Sequence, residues 1–355
     1  MNKRTIDAFL ALVRAGLWAG VESSDLVNHV ITESVDWNEV YQLSGEQSVV
    51  GLVTAGIEHV KDIKIPQDIV LQFIGESLQL EQNNREMNNF IAEIVDKMRK
   101  EDIYTLLVKG QGIAQCYERP LWRASGDVDL LLSDSNYINA KRLLLSMATV
   151  NKNEERYSKH LGMNIDPWYV EIHGTMRTGL SGRVDKVVDS VQHDIFYGGN
   201  VRLWMNGKTS VFLPAPDNDV IFVFTHFLKH FYKEGMSLRQ VCDWCRLLWT
   251  YRDSLNHELL KSQICKAGLI SEWKAFAALA VDGLGMPKKA MPLYSAESKW
   301  RKKGQKIMRF ILKGGRPSTV SSTFEIARIF PCNTLRFLPA IFFKVNWLKI
   351  KERLF

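Results

Sequence analysis

Residues 103–132, IYTLLVKGQGIAQCYERPLWRASGDVDLLL, contain two acidic residues inside a segment that otherwise has the composition of a buried strand. Side chains two positions apart on a strand point to the same face, so Asp127 and Asp129 must lie side by side. Burying two unpaired carboxylates together is costly, because desolvation and mutual repulsion add. The sequence therefore predicts a positive charge next to this pair.

A second segment supplies a third carboxylate. PWYVEIHG, residues 167–174, alternates strongly between apolar and polar side chains, which places Glu171 and His173 on one face. If this strand pairs with GDVDLLL, Glu171 joins Asp127 and Asp129. Three carboxylates suit Mg²⁺ or Mn²⁺, and we predict such a cation as the missing charge, with two ions when substrate is bound.

The turn before the acidic strand has the composition of a phosphate-binding site. The strand IYTLLVK ends at Gly110 and Gln111, and a helix near 111–118 is predicted to follow directly. Glycine permits close approach of the backbone to a ligand, and a helix N-terminus attracts anions. Lys109 and Arg123 add charges that suit phosphate. Metal-binding carboxylates beside a phosphate site predict phosphoryl or nucleotidyl transfer.

Each of these features has a plainer interpretation when it is taken alone. Two aspartates on a strand often occupy a solvated edge, and Gly-Gln-Gly is a common turn. His173 is as consistent with a structural place in a packed strand as with a contact to a carboxylate or a nucleotide. The more specific signal is the order of the elements, which is a strand, a Lys-Gly turn, a helix, the acidic strand and a third strand with Glu171.

This order resembles the nucleotidyltransferase superfamily that includes DNA polymerase beta, and more closely its bacterial branch of nucleotidyltransferase family proteins. The matching motifs are LLVKG at 106–110, Ala114 with Tyr117, Arg123 with GDVDLL at 126–131, and EIH at 171–173. The resemblance implies that Asp127 and Asp129 are catalytic metal ligands and that Glu171 is the third.

Two positions depart from the family pattern. The wider superfamily usually has Gly-Ser at the phosphate turn, where this chain has Lys109-Gly110. Close relatives tend to follow the histidine with tryptophan, where this chain has Gly174. Neither change removes a metal ligand, but both alter the surroundings of the substrate.

The resemblance extends to a helical flank, with LPAPDND at 213–219, two histidines on the next helix, and Leu-Arg followed by an aspartate. From this flank we predict nucleotide contacts for His226, Lys229, Arg239 and Asp243, in addition to Lys109, Gly110, Gln111, Arg123 and His173. A structural role is the alternative for His226 and for His230, one helical turn later. Cys242 and Cys245 lie within a helix among apolar neighbours, and we predict a structural role for both.

The pattern of elements predicts an α+β fold, in which a small mixed sheet forms a nucleotidyltransferase core flanked by N-terminal and C-terminal helical domains. Helices are predicted before the core at 5–18, 36–43, 46–61, 66–77 and 80–100. The predicted domains are an N-terminal helical domain at 1–100, the core at 101–180, a hairpin with C-terminal helices at 181–300, and a basic amphipathic tail at 301–355. Within the third domain, Asn-Gly in VRLWMNGKTSVFLP predicts the hairpin.

The net charge of +7 originates in the tail, which contains thirteen Lys/Arg and two Asp/Glu between 301 and 353. Bulky apolar residues alternate with these bases, a pattern typical of segments that bind an anionic membrane surface, nucleic acid or an acidic partner. The alternative is an amphipathic helix that docks on the protein's own core and leaves its basic face in solvent.

Composition also bears on the compartment. No apolar run reaches the roughly 18 residues of a membrane span. Arg14 interrupts the apolar run near the start, which favours an amphipathic helix over a signal peptide. Five cysteines without framework spacing predict a reducing cytoplasm, with peripheral attachment to the inner membrane as an alternative.

The sequence thus predicts a Mg²⁺- or Mn²⁺-dependent nucleotidyltransferase. It would move a nucleoside monophosphate from an NTP, taken to be ATP, to an unidentified small-molecule, protein or RNA acceptor with release of pyrophosphate, and Glu171 would help to deprotonate the acceptor. An Asp129→Asn substitution is expected to abolish transfer and to stabilise the metal-free protein. The alternatives are a non-catalytic nucleotide- or partner-binding protein of toxin-neutralising or scaffold type, and a phosphotransferase acting on cell-surface sugars.

Overall fold

Two units make up the part of the chain that the structure describes. A computed structural model describes residues 2–18, 35–59, 64–151, 154, 159–314 and 320–351, without the side chains of 151, 320 and 343–351. The first of the two units, called the sheet unit, contains Met1–Met176 and Gln192–Asp219. The second, called the helical unit, contains Arg177–Val191 and Val220–Phe355.

Helices precede the sheet in the first unit. They are α1 (Lys3–Leu17), α2 (Trp37–Glu46), α3 (Val50–Glu58) and α4 (Gln67–Lys100). Asn2 and Asp36 cap α1 and α2, because each side chain accepts a hydrogen bond from a backbone amide in the first turn. The predicted break between 66–77 and 80–100 does not occur, since Leu78 and Gln79 are good helix formers and α4 runs through them.

A mixed sheet of seven strands forms the centre of the sheet unit. The strands are β1 (Thr105–Val108), β2 (Asp127–Leu132), β3 (Val150–Asn151), β4 (His160–Ile165), β5 (Trp168–His173), β6 (Val201–Asn206) and β7 (Thr209–Pro214). Their order across the sheet is β3-β4-β5-β2-β1-β7-β6. The acidic strand β2 is antiparallel to β1 and parallel to β5. Two helices follow these strands, α5 (Gly110–Ala114) after β1 and α6 (Asp134–Leu145) after β2.

One face of this sheet is buried by α4 and α6. Val128 and Leu130 of β2 are at most 1% exposed and belong to one apolar cluster with Ile91 of α4. Full burial of each such side chain stabilises the fold by about 1.5–3 kcal/mol. Because strand side chains alternate, this burial fixes the register of β2 and turns Asp127 and Asp129 to the opposite face.

The β6–β7 hairpin belongs to this sheet. Its two-residue turn begins with Gly207, whose φ of +61° is a conformation that glycine adopts without strain. Strand β7 is parallel to β1, with Leu106 opposite Phe212. The sequence assigns this hairpin to the domain at 181–300, whereas backbone pairing attaches it to the sheet.

The many helices and the mixed sheet confirm the predicted α+β class.

The helical unit is built mainly from the second half of the chain. The helices there are α7 (Gly182–Tyr197), α8 (Pro216–Lys229), α9 (Leu238–Tyr251), α10 (His257–Ala267), α11 (Ile270–Ala278), α12 (Ser298–Leu312), α13 (Val320–Ile329) and α14 (Pro331–Lys351). Both α7 and α8 cross the division between the units. An aromatic core includes Phe224, Trp244 and Trp273, with 4.8 Å between the two tryptophan ring centroids. Cys242 and Cys245 are also buried here, and burial raises the pKa of both thiols.

Part of the predicted basic tail packs within the helical unit. Phe330 and Phe337 are at most 2% exposed, and the Phe337 ring lies 4.8 Å from that of Tyr232. On the same helix as Phe337, Phe342 is exposed. Throughout the described residues, every helix is either too short or too polar to cross a bilayer.

Candidate metal and nucleotide site

Three carboxylates meet on the face of the sheet opposite the one that packs against α4 and α6. Parallel pairing of β2 with β5 places Asp129 opposite Glu171, and Asp127 lies two residues before Asp129. Each of the three side chains offers an oxygen, and these oxygens lie within 4.8 Å of one another. The structure thus brings together the three residues that the sequence predicts as metal ligands.

Asp129 is the most deeply buried of the three and has two cationic or hydrogen-bonding neighbours. Lys109 Nζ lies 2.6 Å from Oδ1 of Asp129, and His173 Nε2 lies 2.8 Å from the same oxygen. Burial raises the pKa of Asp129, but the charge of Lys109 and the hydrogen bond with His173 together outweigh it, so the pKa lies well below the ordinary range. Asp129 is therefore a carboxylate at neutral pH.

Lys109 keeps its charge in the same environment. Burial lowers the pKa of Lys109, but the charges of Asp129 and Asp127 and the hydrogen bond to Asp129 have the larger combined effect and raise it above the ordinary value. The backbone of Lys109 has φ +60° and ψ −146°, a region that is essentially restricted to glycine. A strained backbone at this turn thus positions the ammonium beside the acidic strand.

Glu171 lies between two histidines. His160 Nε2 is 3.0 Å from Oε2 of Glu171, and His173 Nε2 is 3.6 Å from it. Burial raises the pKa of Glu171. The hydrogen bond with His160 and the charges of the two histidines lower it by more, so the pKa of Glu171 lies below its ordinary value. Burial lowers the pKa of His173, against the opposing effect of its hydrogen bond to Asp129.

His160 is a site residue that sequence reasoning does not identify. It lies on β4, directly opposite His173 of β5. One signal in the sequence could have identified it. Asp166 and Pro167 form a two-residue connection between β4 and β5, and counting outward from this connection along both strands pairs His160 with His173. From the sequence alone we predict a hairpin edge near 154–162 with no site residue on it, and part of this range lies outside the described residues.

The donor set of the three carboxylates fits a hard divalent cation. Asp127, Asp129 and Glu171 present only oxygen atoms, which Mg²⁺ and Mn²⁺ prefer, and no thiol is part of the group. These residues would hold the ion, while Lys109 provides a fixed positive charge beside it.

A protein-family comparison identifies the family of the chain. The model of a family described as "Uncharacterised nucleotidyltransferase" matches residues 33–282, which is more than half of the chain. The chain belongs to this nucleotidyltransferase family. The match includes α2 to α11 and therefore every predicted site residue. Comparisons with curated proteins and with solved structures gave no match.

The turn that the sequence predicts to bind phosphate differs in detail from that prediction. The helix after Gly110 extends only over Gly110–Ala114, not over 111–118, so it provides no long helix dipole. The side chain of Gln111 is 1% exposed, and its amide nitrogen donates to Oδ1 of Asn84 at 2.6 Å. Gln111 therefore faces α4, and its predicted contact with nucleotide is limited to its backbone.

Arg123 supports the loop that leads into β2. Its side chain is buried, and Nη1 donates to the carbonyl of Ala124 and to Oγ of Ser125, the latter at 2.7 Å. Asn84 Nδ2 donates to the Arg123 carbonyl at 2.8 Å, so the loop is also tied to α4. These contacts position the start of the acidic strand, and a nucleotide contact by Arg123 stays a prediction.

The remaining predicted contacts lie on helices of the helical unit. His226 Nε2 is 2.9 Å from His230 Nε2, and Lys229 Nζ is 3.4 Å from a carboxylate oxygen of Glu234. The other two residues, Arg239 and Asp243, are on α9, and Asp243 is buried. Their predicted contacts with nucleotide stay predictions.

Proposed function

We propose that the protein transfers a nucleoside monophosphate from ATP to an acceptor and releases pyrophosphate. The observation that supports this proposal most strongly is the meeting of Asp127, Asp129 and Glu171 on two paired strands, beside the strained turn at Lys109. A Mg²⁺ or Mn²⁺ ion bound there would neutralise phosphate charge and align the reacting oxygens. The proposal places the reaction in the cytoplasm, where ATP is available.

The protein's own residues would act on both sides of the reacting phosphorus. Lys109 would stabilise negative charge on the triphosphate, because its ammonium lies at the edge of the carboxylate group. Glu171, which is ionised, would accept the proton of the acceptor hydroxyl or amine. The acceptor atom would form a bond to the α-phosphorus as the bond to the bridging oxygen breaks, and pyrophosphate would leave with its electron pair.

The identity of the transferred group can be read from the position of a radioactive label. The full-length protein is incubated with Mg²⁺ or Mn²⁺, cell extract, and ATP labelled on either the α- or the γ-phosphate. We expect only the α-label to reach the acceptor and unlabelled pyrophosphate to accompany it. Transfer of the γ-label would instead indicate a phosphotransferase, such as one acting on cell-surface sugars. Binding of ATP without any transfer would indicate the non-catalytic alternative.

A matched pair of variants ties the activity to the site. Asp127→Asn keeps the shape of the side chain but removes a charge that the metal requires. Turnover is expected to fall by at least the roughly 10²–10³-fold that loss of one oxyanion-hole donor costs. Asp134→Asn is the control, since Asp134 is an exposed residue at the start of α6 that pairs with Lys159. Equal activity of the two variants would contradict the proposed site.

A further inference from the structure

A second group of possible metal ligands adjoins the three carboxylates. His160, Glu171 and His173 each offer one ligand atom, and these atoms lie within 4.8 Å of one another. Glu171 belongs to both groups, but the donor types differ. Two imidazole nitrogens with one carboxylate suit a zinc-class ion, whereas carboxylates alone suit Mg²⁺.

The sheet register holds the two histidines in place. His160 and His173 are directly opposite on antiparallel strands, and Glu171 is opposite Gly162, so all three side chains share one face. The imidazole rings are stacked, with 4.7 Å between centroids and 13° between planes. The three side chains are 18–30% exposed, so an ion could reach them from solvent while most of its surroundings would be protein.

The separations of the two imidazole nitrogens from Glu171 lie close to those expected around a single ion. Ligand atoms bound at about 2.1 Å to one ion, at tetrahedral or octahedral angles, lie about 3.0–3.4 Å apart. The two Nε2 atoms are 3.0 Å and 3.6 Å from the same oxygen, Oε2 of Glu171. A hydrogen bond explains the His160 contact equally well, but the His173 contact is longer than a hydrogen bond.

We propose that His160, Glu171 and His173 hold a zinc-class divalent ion, in a subsite that adjoins the carboxylate site for Mg²⁺ and shares Glu171 with it. Two histidines and a glutamate form a known ligand set for zinc, which leaves a fourth position for water or substrate. Binding here requires no nucleotide transfer, so the inference goes beyond the proposed function and is tested independently of it.

The two sites would be coupled through shared side chains. Glu171 contributes to both ligand groups, and the Nε2 atom of His173 that would bind the ion now contacts Asp129 at 2.8 Å. Occupation of the histidine subsite would therefore break this hydrogen bond and leave Lys109 as the cationic neighbour of Asp129. Mg²⁺ affinity should change when the histidine subsite is filled.

Cobalt can be used to test the subsite, because Co²⁺ accepts zinc ligands and absorbs visible light much more strongly in a site of low coordination number than as its aqua ion. The full-length protein is titrated with Co²⁺ alone and then with Co²⁺ in an excess of Mg²⁺. We expect a visible absorption band that saturates at a single Co²⁺ per chain, persists in excess Mg²⁺ and disappears when Zn²⁺ is added.

Substitutions at His160 distinguish an ion from a hydrogen bond. His160→Ala should lower Co²⁺ affinity by more than the roughly 10–100-fold that loss of an outer partner costs. His160→Gln should do the same, although its amide can still donate a hydrogen bond to Glu171 and preserve the fold. The control is His59→Ala, which removes an exposed histidine at the end of α3 and should leave Co²⁺ binding unchanged.

Three results would overturn the proposal. One is displacement of Co²⁺ by Mg²⁺, and another is unchanged Co²⁺ affinity in both His160 variants, since either would place the ion on the carboxylates. The third is Co²⁺ binding by His160→Gln as tight as that of the unsubstituted protein, which would show that His160 only orients Glu171. Circular dichroism and melting curves confirm that each variant is folded.

Discussion

Lys109 Nζ lies 2.6 Å from Oδ1 of Asp129, and the aspartate of this pair is almost fully buried. The acidic strand therefore has a built-in positive charge in the absence of a metal ion. A buried carboxylate next to others needs such a partner, because isolated burial of its charge is costly. The sequence predicts a metal ion as this charge and assigns Lys109 to phosphate, whereas the structure pairs Lys109 with Asp129 directly.

Removing this lysine should make the protein more dependent on divalent ions. Without metal, Lys109→Met is expected to lower the free energy of unfolding by about 3 kcal/mol, since it leaves Asp129 buried without its cationic partner. Mg²⁺ should then raise the melting temperature of the variant more than that of the unsubstituted protein. The control is Lys141→Met, which breaks the partly exposed pair with Glu154. An equal Mg²⁺ response in all three proteins would contradict the prediction.

Asp129→Asn should destabilise the metal-free protein. The sequence alone suggests a gain in stability, because one of two adjacent charges is removed. The structure reverses this expectation, since the substitution leaves the Lys109 ammonium and the His173 ring beside a neutral amide. We expect a loss of about 1–3 kcal/mol by chemical denaturation, together with loss of transfer. A higher melting temperature for Asp129→Asn would show that carboxylate repulsion dominates after all.

The absence of a side chain at Gly162 leaves space for the side chain of Tyr169, on the sheet face that carries the three carboxylates. A Cβ atom at Gly162 would overlap the hydroxyl of Tyr169, which lies opposite Asp127 in the sheet. Gly162→Ala is therefore expected to displace the tyrosine, to cost about 1–3 kcal/mol of stability and to lower activity. Adding Tyr169→Ala should recover much of the stability, which a double-mutant cycle can measure.

Gly75→Ala serves as the control for that cycle. Gly75 lies within α4, and a Cβ there meets no atom within 4 Å. The substitution should therefore be neutral or should stabilise the helix by up to about 1 kcal/mol. A Gly162→Ala variant as stable as Gly75→Ala would contradict the prediction, because it would show that Tyr169 can move without destabilising the sheet.

Two truncations should separate the structural part of the basic tail from any surface-binding part. Removing residues 316–355 deletes α13, α14 and the buried residues Ile326, Phe330 and Phe337, and should cause aggregation or a lower melting temperature. Removing only 343–355 retains these residues and should leave the melting temperature nearly unchanged.

The shorter truncation also tests the proposed membrane contact. It removes Lys344, Lys349, Lys351 and Arg353, so association with anionic liposomes should weaken if this segment binds the membrane surface. That association should fall steeply with salt. Liposome binding that is absent in the full-length protein, or equal in both proteins, would contradict a membrane contact by this segment.

Strand alternation was sufficient to predict the centre of the candidate site. The two-residue period places Asp127 and Asp129 on one face, and the pairing of EIH with GDVD adds Glu171. His160 was missed because its strand has a weak pattern, and its position depends on the register between β4 and β5. The Lys109 pair was missed because it depends on a backbone conformation that sequence propensity disfavours for lysine.

The parallel pairing of β1 with β7 has a consequence for the time course of folding. Leu106 pairs with Leu131 a short distance along the chain, but also with Phe212, about a hundred residues later. During synthesis β1 therefore remains an open sheet edge until the β6–β7 hairpin has emerged from the ribosome. Such distant pairing is slow, because loop closure precedes the contacts that stabilise it. The sheet would then gain its last two strands, β7 and β6, beside β1 and on the side away from the carboxylate strands β2 and β5, only after the hairpin is complete.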